Sequence, residues 1–290
     1  MPIARFRPRM YPEVEAFAKK LKWFGYVKEI VNWHSDTEIP GQRRRTTRAL
    51  PGGCWVWLHR GRPVAFCGLR FLNRQDAWLY GMRVAKEFQN RGIARRFTKE
   101  LFGVAADAGR KWVGINTYHY RDKSSSIYTI AGKLGMKLDA VHAVDVYWEL
   151  PKSIRGPRPR PLPGIYERYS ATGERALFFD DHGWLWYRLN AQRRKQVNRG
   201  GFAVVDTPVH IARYQRNGVT VNMLHRPRDF AEVLPSILSK ATAKKKWLTL
   251  GYPAGWSRRV RRTVRELVPE LKKGRNYWPS AWRVYGKYLG

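Results

Sequence analysis

The stretch Trp78-Leu-Tyr-Gly-Met-Arg-Val-Ala-Lys-Glu-Phe-Gln-Asn-Arg-Gly-Ile-Ala-Arg-Arg-Phe97 constrains this chain more than any other. It reads as an apolar strand, a short loop and a helix. Ile93, Phe97, Leu101, Val104 and Ala105 recur at helical spacing, so the helix buries that stripe. The first N–H groups of a helix have no partner within it and lie at the positive end of its dipole. Gly92 keeps a side chain out of the turn at that point, and Arg91, Arg95 and Arg96 add positive charge. Such a turn suits phosphate, and a pyrophosphate-bearing ligand is the sharpest reading of it.

The flanking segments fit around this unit. Cys54–Leu58 and Val64–Phe71 read as strands joined at Arg60-Gly61-Arg62. Residues 11–31 read as a helix burying Val14, Phe17, Ala18, Leu21 and Phe24. Val113–Tyr118 reads as the strand after the long helix, and residues 124–136 as another helix ending in Lys133-Leu134-Gly135-Met136.

Together these segments resemble the GNAT superfamily of acyltransferases. Its acetyl-CoA-binding signature is Gln/Arg-x-x-Gly-x-Gly/Ala between a strand and a helix, and Gln89, Gly92 and Ala94 fill the three positions. The Lys-Leu-Gly-Met ending resembles the family's Lys-Leu-Gly-Phe. The resemblance covers about residues 3–150 and implies an α/β (α+β) fold, a mixed sheet flanked by helices, with acetyl-CoA as cofactor. It also implies a bulge in the strand before the turn. Met82, Arg83 and Val84 would then meet pantetheine, while Gln89, Asn90, Arg91, Gly92, Ile93, Ala94 and Arg95 would hold the pyrophosphate. The sequence departs from the pattern at Ala131, where many members carry the tyrosine that protonates the leaving thiolate. It departs again at Ser124, where an Asn is frequent.

Acyl transfer to an amine needs a neutral amine, a route for its proton and stabilisation of an oxyanion. The candidate proton carriers are Tyr80, His119 and Ser126, with Asp76 a weaker fourth. Each also has a purely structural reading.

A net charge of +34 over 290 residues exceeds what acetyl-CoA requires. Residues 1–150 hold +14 and residues 151–290 hold +20, so the excess is spread over the whole chain. That balance points to a polyanion, DNA or RNA, since neutralising phosphates releases counterions; a solvated arginine-rich surface is the plainer reading. The dense clusters are Arg43, Arg44 and Arg45; Arg193, Arg194 and Lys195; Lys244, Lys245 and Lys246; and Arg258, Arg259, Arg261 and Arg262.

Pro and Arg alternate through residues 151–164, which read as a stiff linker between domains 1–150 and 165–290. The second domain shows strand signals at Ala176–Phe179, Trp184–Leu189, Phe202–Val205 and Val219–Leu224, then helices at Asp229–Ala241 and Ser257–Val268 with strands at Trp247–Leu250 and Trp282–Tyr288. That order echoes the first half and points to a basic, degenerate GNAT-like domain; a small unrelated α/β domain is the alternative. Arg226-Pro227-Arg228-Asp229 replaces the phosphate turn, so this half is expected to bind no acyl-CoA.

Cys54 and Cys67 are expected to be buried, reduced thiols. No Cys/His spacing forms a metal site, and no apolar run is long enough to span a membrane, so the chain reads as cytoplasmic. The leading expectation is an N-acetyltransferase whose acceptor amine is carried by a nucleic acid, either on a base or on charged tRNA. Two alternatives stand beside it. One is a free amino acid or protein N-acetyltransferase, since Gly81–Ala85 and the trailing domain resemble the histidine N-acetyltransferase group in arrangement. The other is a nucleic-acid-binding protein on an inactive GNAT scaffold.

Overall fold

Arg60 and Gly61 both take positive φ, 49° and 78°, and this two-residue turn folds the chain back into the hairpin of β2 (Gly52–His59) and β3 (Arg62–Phe71). The computed structural model describes residues 2–22, 24–34, 51–118, 126–148, 160–161, 177–180, 185–188, 202–203, 210–214, 218–223, 234–235, 247–269, 272–273 and 281–290. The chain forms two compact units. The first comprises Met1–Asn116, Ser125–Lys137 and Tyr285–Gly290; the second comprises Thr117–Ser124 and Leu138–Val284.

In the first unit, β1 (Ile3–Arg5), β2, β3 and β4 (Asp76–Val84) are successive antiparallel neighbours, and β5 (Trp112–Tyr118) joins β4 in parallel. α1 (Tyr11–Lys20) and α2 (Phe24–His34) precede β2. The periodicity predicts one helix there, but Lys22 at φ 60° divides it after Leu21 closes α1 onto Phe17 O at 3.1 Å. α3 (Ile93–Asp107) makes the crossover between the parallel strands and buries Ile93, Phe97, Leu101, Phe102 and Ala105. These meet Ala77, Leu79, Val113 and Ile115 in one core. Period-two alternation therefore turns Trp78, Tyr80, Trp112 and Gly114 to the opposite face.

α4 (Ser126–Lys133) ends as its Lys-Leu-Gly-Met sequence predicts. Gly135, at φ 66°, lets Met136 N–H donate to Ala131 O at 2.9 Å and its own N–H donate to Gly132 O at 3.1 Å. That is a Schellman closure, which satisfies the last carbonyls of the helix.

The compact units divide before the proline-rich segment rather than at it. β6 (Lys137–Trp148) lies almost wholly in the second unit because it pairs antiparallel with β13 (Trp247–Pro253) along its length. The C-terminus returns to the first unit: Tyr285 enters its core and Leu289 N–H donates to Lys111 O at 3.0 Å. Of the expected linker 151–164, only residues 160 and 161 are described.

The second unit has β11 (His210–Tyr214) antiparallel to β12 (Gly218–Met223), and β12 parallel to β13. The short strands β7 (Arg160–Pro161) and β10 (Phe202–Ala203) pair separately, as do β8 (Leu177–Asp180) and β9 (Leu185–Arg188). After β13, α5 (Ser257–Leu267) buries Val260 and Val264; β14 (Lys272–Lys273) pairs with β6, and β15 (Ala281–Tyr288) carries the chain back to the first unit. Of the helix expected at 229–241, only residues 234 and 235 lie within the described residues. Periodicity missed β11, a short run whose apolar signal is interrupted by arginine.

Candidate functional site

β4 and β5 pair over three rungs, Asp76 with Trp112, Ala77 with Val113 and Trp78 with Gly114. Beyond Trp78, β4 runs on to Val84, and its β5-facing edge makes no further pairing with β5 among the described residues. A strand edge of this kind offers N–H and C=O groups to an extended ligand. The opening is reinforced from the other side. Along β3 and β4, Phe66 faces Arg83 but Gly68 faces Tyr80, so β4 carries one extra residue at Gly81–Met82. Gly81 takes φ 66° there. A bulge bends its strand away from regular pairing, and the sequence resemblance predicts one in this strand.

Gly81 has a second reason to be glycine. A Cβ on it would overlap Cδ1 of Ile30 and lie 3.5 Å from Tyr26 Cε1. α2 thus packs down onto the bulge, and at Gly68 a Cβ would come within 2.8 Å of the Tyr80 ring. Burial holds the Tyr80 phenol well above its ordinary pKa. Tyr80 is therefore a protonated hydroxyl at neutral pH and not a phenolate base there. Arg83 lies over the Tyr26 ring at 6.0 Å and donates from Nη1 to Met82 O at 2.7 Å.

The turn after β4 has anion-binding geometry. Gln89 Nε2 donates back to Val84 O at 3.0 Å, fixing the loop onto the strand end. Asn90 (φ 60°) and Gly92 (φ 72°) both adopt the left-handed conformation, curling the backbone around the start of α3. Gly92 is the N-cap, no side chain caps the first turn and no acidic residue lies in it. The first-turn N–H groups of α3 are thus offered outward. Among the described residues, a Cβ on Gly92 would meet only Arg96 Nη1, at 3.9 Å, so they leave the space above the turn open. Arg91, exposed, lies 5.4 Å over the Phe88 ring, and Arg95 is exposed on the first turn. Arg96, read from the sequence as added positive charge at the turn, also braces the loop by donating from Nη2 to Arg91 O at 3.1 Å.

An uncapped helix start, a left-handed turn and basic side chains fit a pyrophosphate, and the open edge of β4 fits an extended amide-bearing arm. Acetyl-CoA has both parts. Gln89, Asn90, Arg91, Gly92, Ile93, Ala94 and Arg95 are contiguous at this turn; Met82 lies in the bulge, and Arg83 and Val84 follow it.

The proton-carrier candidates do not all come into view. Tyr80 is buried beside the bulge. Ser126 opens α4, with its side chain outside the described residues, as is His119 entirely. Asp76 lies at the closed end of the strand pair, where its carboxylate accepts from Asn73 Nδ2 at 2.9 Å in a turn; that is a structural role. Ala131 is fully buried in the α3-side core, so that position holds apolar packing in place of an acid. Cys54 and Cys67 are free and buried, and burial pushes the Cys67 thiol up to about 12. No group of metal-ligating side chains occurs among the described residues, and no described helix is long and apolar enough to cross a membrane.

In the second unit, the arginine cluster on α5 splits. Arg261 is not a free surface charge: it donates from Nε and Nη2 to the fully buried Asp145 carboxylate at 2.9 and 3.0 Å. Tyr252 donates its hydroxyl to the same carboxylate. Arg261 therefore ties α5 to the sheet, which corrects its expected place in a nucleic-acid surface. Arg258, Arg259 and Arg262 stay exposed, Arg262 with a long 3.4 Å pairing to Glu266. Arg43, Arg44, Arg45, Arg193, Arg194, Lys195, Lys244, Lys245 and Lys246 lie outside the described residues.

Comparison with known proteins agrees with this geometry. Residues 19–125 match the acetyltransferase (GNAT) family. No curated protein matches the chain in sequence. Among solved structures, a candidate acetyltransferase from Thermoplasma acidophilum is 13% identical, with a TM-score of 0.55 over 99% of this chain and 100% of that one. A second candidate acetyltransferase, from Pyrococcus horikoshii, is 13% identical with a TM-score of 0.50, over 99% and 88%. At such identity these two likenesses speak for the fold, and they do so through both halves of the chain. With the strand–turn–helix geometry in place and the family matched across it, residues 19–125 form an acetyltransferase domain of the GNAT family, which uses acetyl-CoA.

Proposed function

We propose that this acetyltransferase acts on an amino group carried by a nucleic acid, either on a base or as the aminoacyl group of charged tRNA. The observation that carries this reading is the +34 charge shared by both halves of the chain, far beyond the need of one coenzyme. Exposed Arg258, Arg259 and Arg262 on α5, with Arg265 beside them, supply a face for backbone phosphates. The reading places the protein in the cytoplasm, where charged tRNA and acetyl-CoA meet.

In this reading, acetyl-CoA supplies the activated acyl group when bound. The turn Gln89–Arg95 holds its pyrophosphate, and the open edge of β4 from Met82 to Val84 aligns its arm. The acceptor amine approaches from the α2 side of the bulge, where Tyr80 can donate a proton to the departing thiolate. Holding both reactants in one cleft supplies much of the rate. The second domain binds no acyl-CoA and serves capture; its parallel β12–β13 pair followed by α5 favours a degenerate GNAT-like origin.

The test incubates labelled acetyl-CoA with DNA, RNA, charged tRNA, free amino acids and proteins. Label on a nucleic acid or its aminoacyl group supports the reading. Label confined to free amino acids or proteins would overturn it, and so would nucleic-acid binding with no transfer at all. Changing Arg258, Arg259 and Arg262 to Glu should lower the salt slope of nucleic-acid binding by about 0.7–0.9 for each phosphate no longer neutralised. Turnover of a small amine should survive.

A further inference from the structure

Asn116 lies on β5 two residues past the last rung that β4 and β5 share, Trp78 with Gly114. Alternation along the strand puts Asn116 on the same face as Trp112 and Gly114. That face is fixed by packing. The Trp78 and Trp112 rings lie 6.1 Å apart, and a Cβ on Gly114 would overlap both of them. Val113 and Ile115 meanwhile point into the α3-side core. Asn116 therefore stands at the mouth of the opening on the α2 side, the side on which Tyr80 is buried.

Its amide nitrogen Nδ2 is buried and has no hydrogen-bond partner among the described residues. Trp78 Nε1, on the neighbouring strand and the same face, is likewise buried without one. Leaving a buried donor unpaired costs stability, and native folds rarely do so without a reason. Both groups are donors, so what each lacks is a lone pair. An amine in its protonated form would not satisfy them, whereas an oxygen or an unprotonated ring nitrogen would.

We propose that Asn116 is a positioning residue for the acceptor, donating from Nδ2 to a carbonyl-type oxygen on the carbon next to the one that bears the amine to be acetylated. An acceptor of that class, an α-aminoacyl group, carries its own anchor. The amine is then held at the bulge by a neighbour that takes no part in the chemistry. A site built to hydrogen-bond one substrate oxygen discriminates strongly against the analogue that lacks it, because its own donor is then left unpaired. The inference rests on the acyl-transfer reading of the cleft and narrows its acceptor; it does not depend on that acceptor being attached to a nucleic acid.

The experiment uses the full chain with acetyl-CoA and two matched series of probes: amino acid amides, and the amines of the same side chains that lack the carbonyl. The wild type should favour the amides in kcat/KM by on the order of 10-fold, as one hydrogen bond allows. Asn116→Leu should raise the KM of the amides by about that factor, leave the carbonyl-free amines and the KM of acetyl-CoA unchanged, and abolish the preference. Asn116→Gln, which keeps the donor, should restore part of it. A readout independent of turnover accompanies this: Asn116→Leu should melt no lower than the wild type, because a donor without a partner has been removed. Equal use of both series by the wild type, or of neither, would overturn the proposal. So would a change confined to acetyl-CoA, or a marked loss of thermal stability in Asn116→Leu together with an unchanged preference for the amides in that variant. Label reaching no nucleic acid in the acceptor assay would defeat the proposed function while leaving this result standing.

Discussion

Replacing Gly92 by Asp separates binding of the coenzyme from integrity of the fold. Among the described residues, a Cβ at this position meets only Arg96 Nη1 at 3.9 Å, so the side chain has room above the turn. The backbone cost comes from φ 72°, where a residue with a Cβ loses about 1–2 kcal/mol relative to glycine. A carboxylate at the helix start recovers about 0.3–1 kcal/mol from the dipole. The net loss is therefore about 1 kcal/mol, a fall in Tm of about 2–4 °C.

The effect on the ligand is larger. A carboxylate about 5 Å from one phosphate charge, at an effective dielectric of about 20, is repelled by about 3 kcal/mol. That corresponds to on the order of 100-fold weaker binding. Titration calorimetry with CoA and with pantetheine, which has the arm but no phosphate, reads the effect directly. CoA affinity should drop while pantetheine affinity does not. Unchanged CoA affinity in a folded Gly92→Asp protein would refute the assignment of the pyrophosphate to this turn.

Two further outcomes follow from buried groups. Asp145→Asn removes the charge that faces Arg261, and breaking a buried pair of this kind costs about 3 kcal/mol; calorimetry should show a lower melting transition with CoA affinity intact, and an unshifted transition would show that the pair does not anchor α5. The folded Cys67 thiol stays protonated to about 12, above the ordinary value of about 8.5, so its contribution to stability is full below about pH 8.5 and lost as pH rises toward 12. Urea midpoints should therefore fall over that range, and folded protein should resist thiol reagents at pH 8; rapid labelling of both cysteines without unfolding would contradict their burial.

The strand–turn–helix unit was legible because everything that makes it is local. Strand hydrophobicity, the glycine and the helical stripe fall within twenty consecutive residues, and each dictates its own neighbour's geometry. The bulge was foreseen only by resemblance. Its physical reason is that α2 needs room at Gly81, and that reason joins Ile30 to a residue 51 positions away. The break in the first helix was not foreseen, since Leu21 and Phe24 keep the helical spacing across it while Lys22 alone changes conformation.

Charge shows the same limit more sharply. On α5 the spacing of Arg258, Arg261, Arg262 and Arg265 puts four guanidinium groups near one face, and nothing local tells them apart. Asp145, on a strand 116 residues earlier, makes the distinction by taking Arg261 into the interior. Asn116 is the converse case. In the run Val113-Gly-Ile-Asn-Thr-Tyr118 it looks like one polar residue on a half-buried strand, for which a partner across the sheet would be expected. It has none among the described residues because β4 stops pairing two residues earlier. Pattern alone shows which residues are apolar and which are charged, but whether a polar side chain is structural or available to a ligand depends on where the sheet opens.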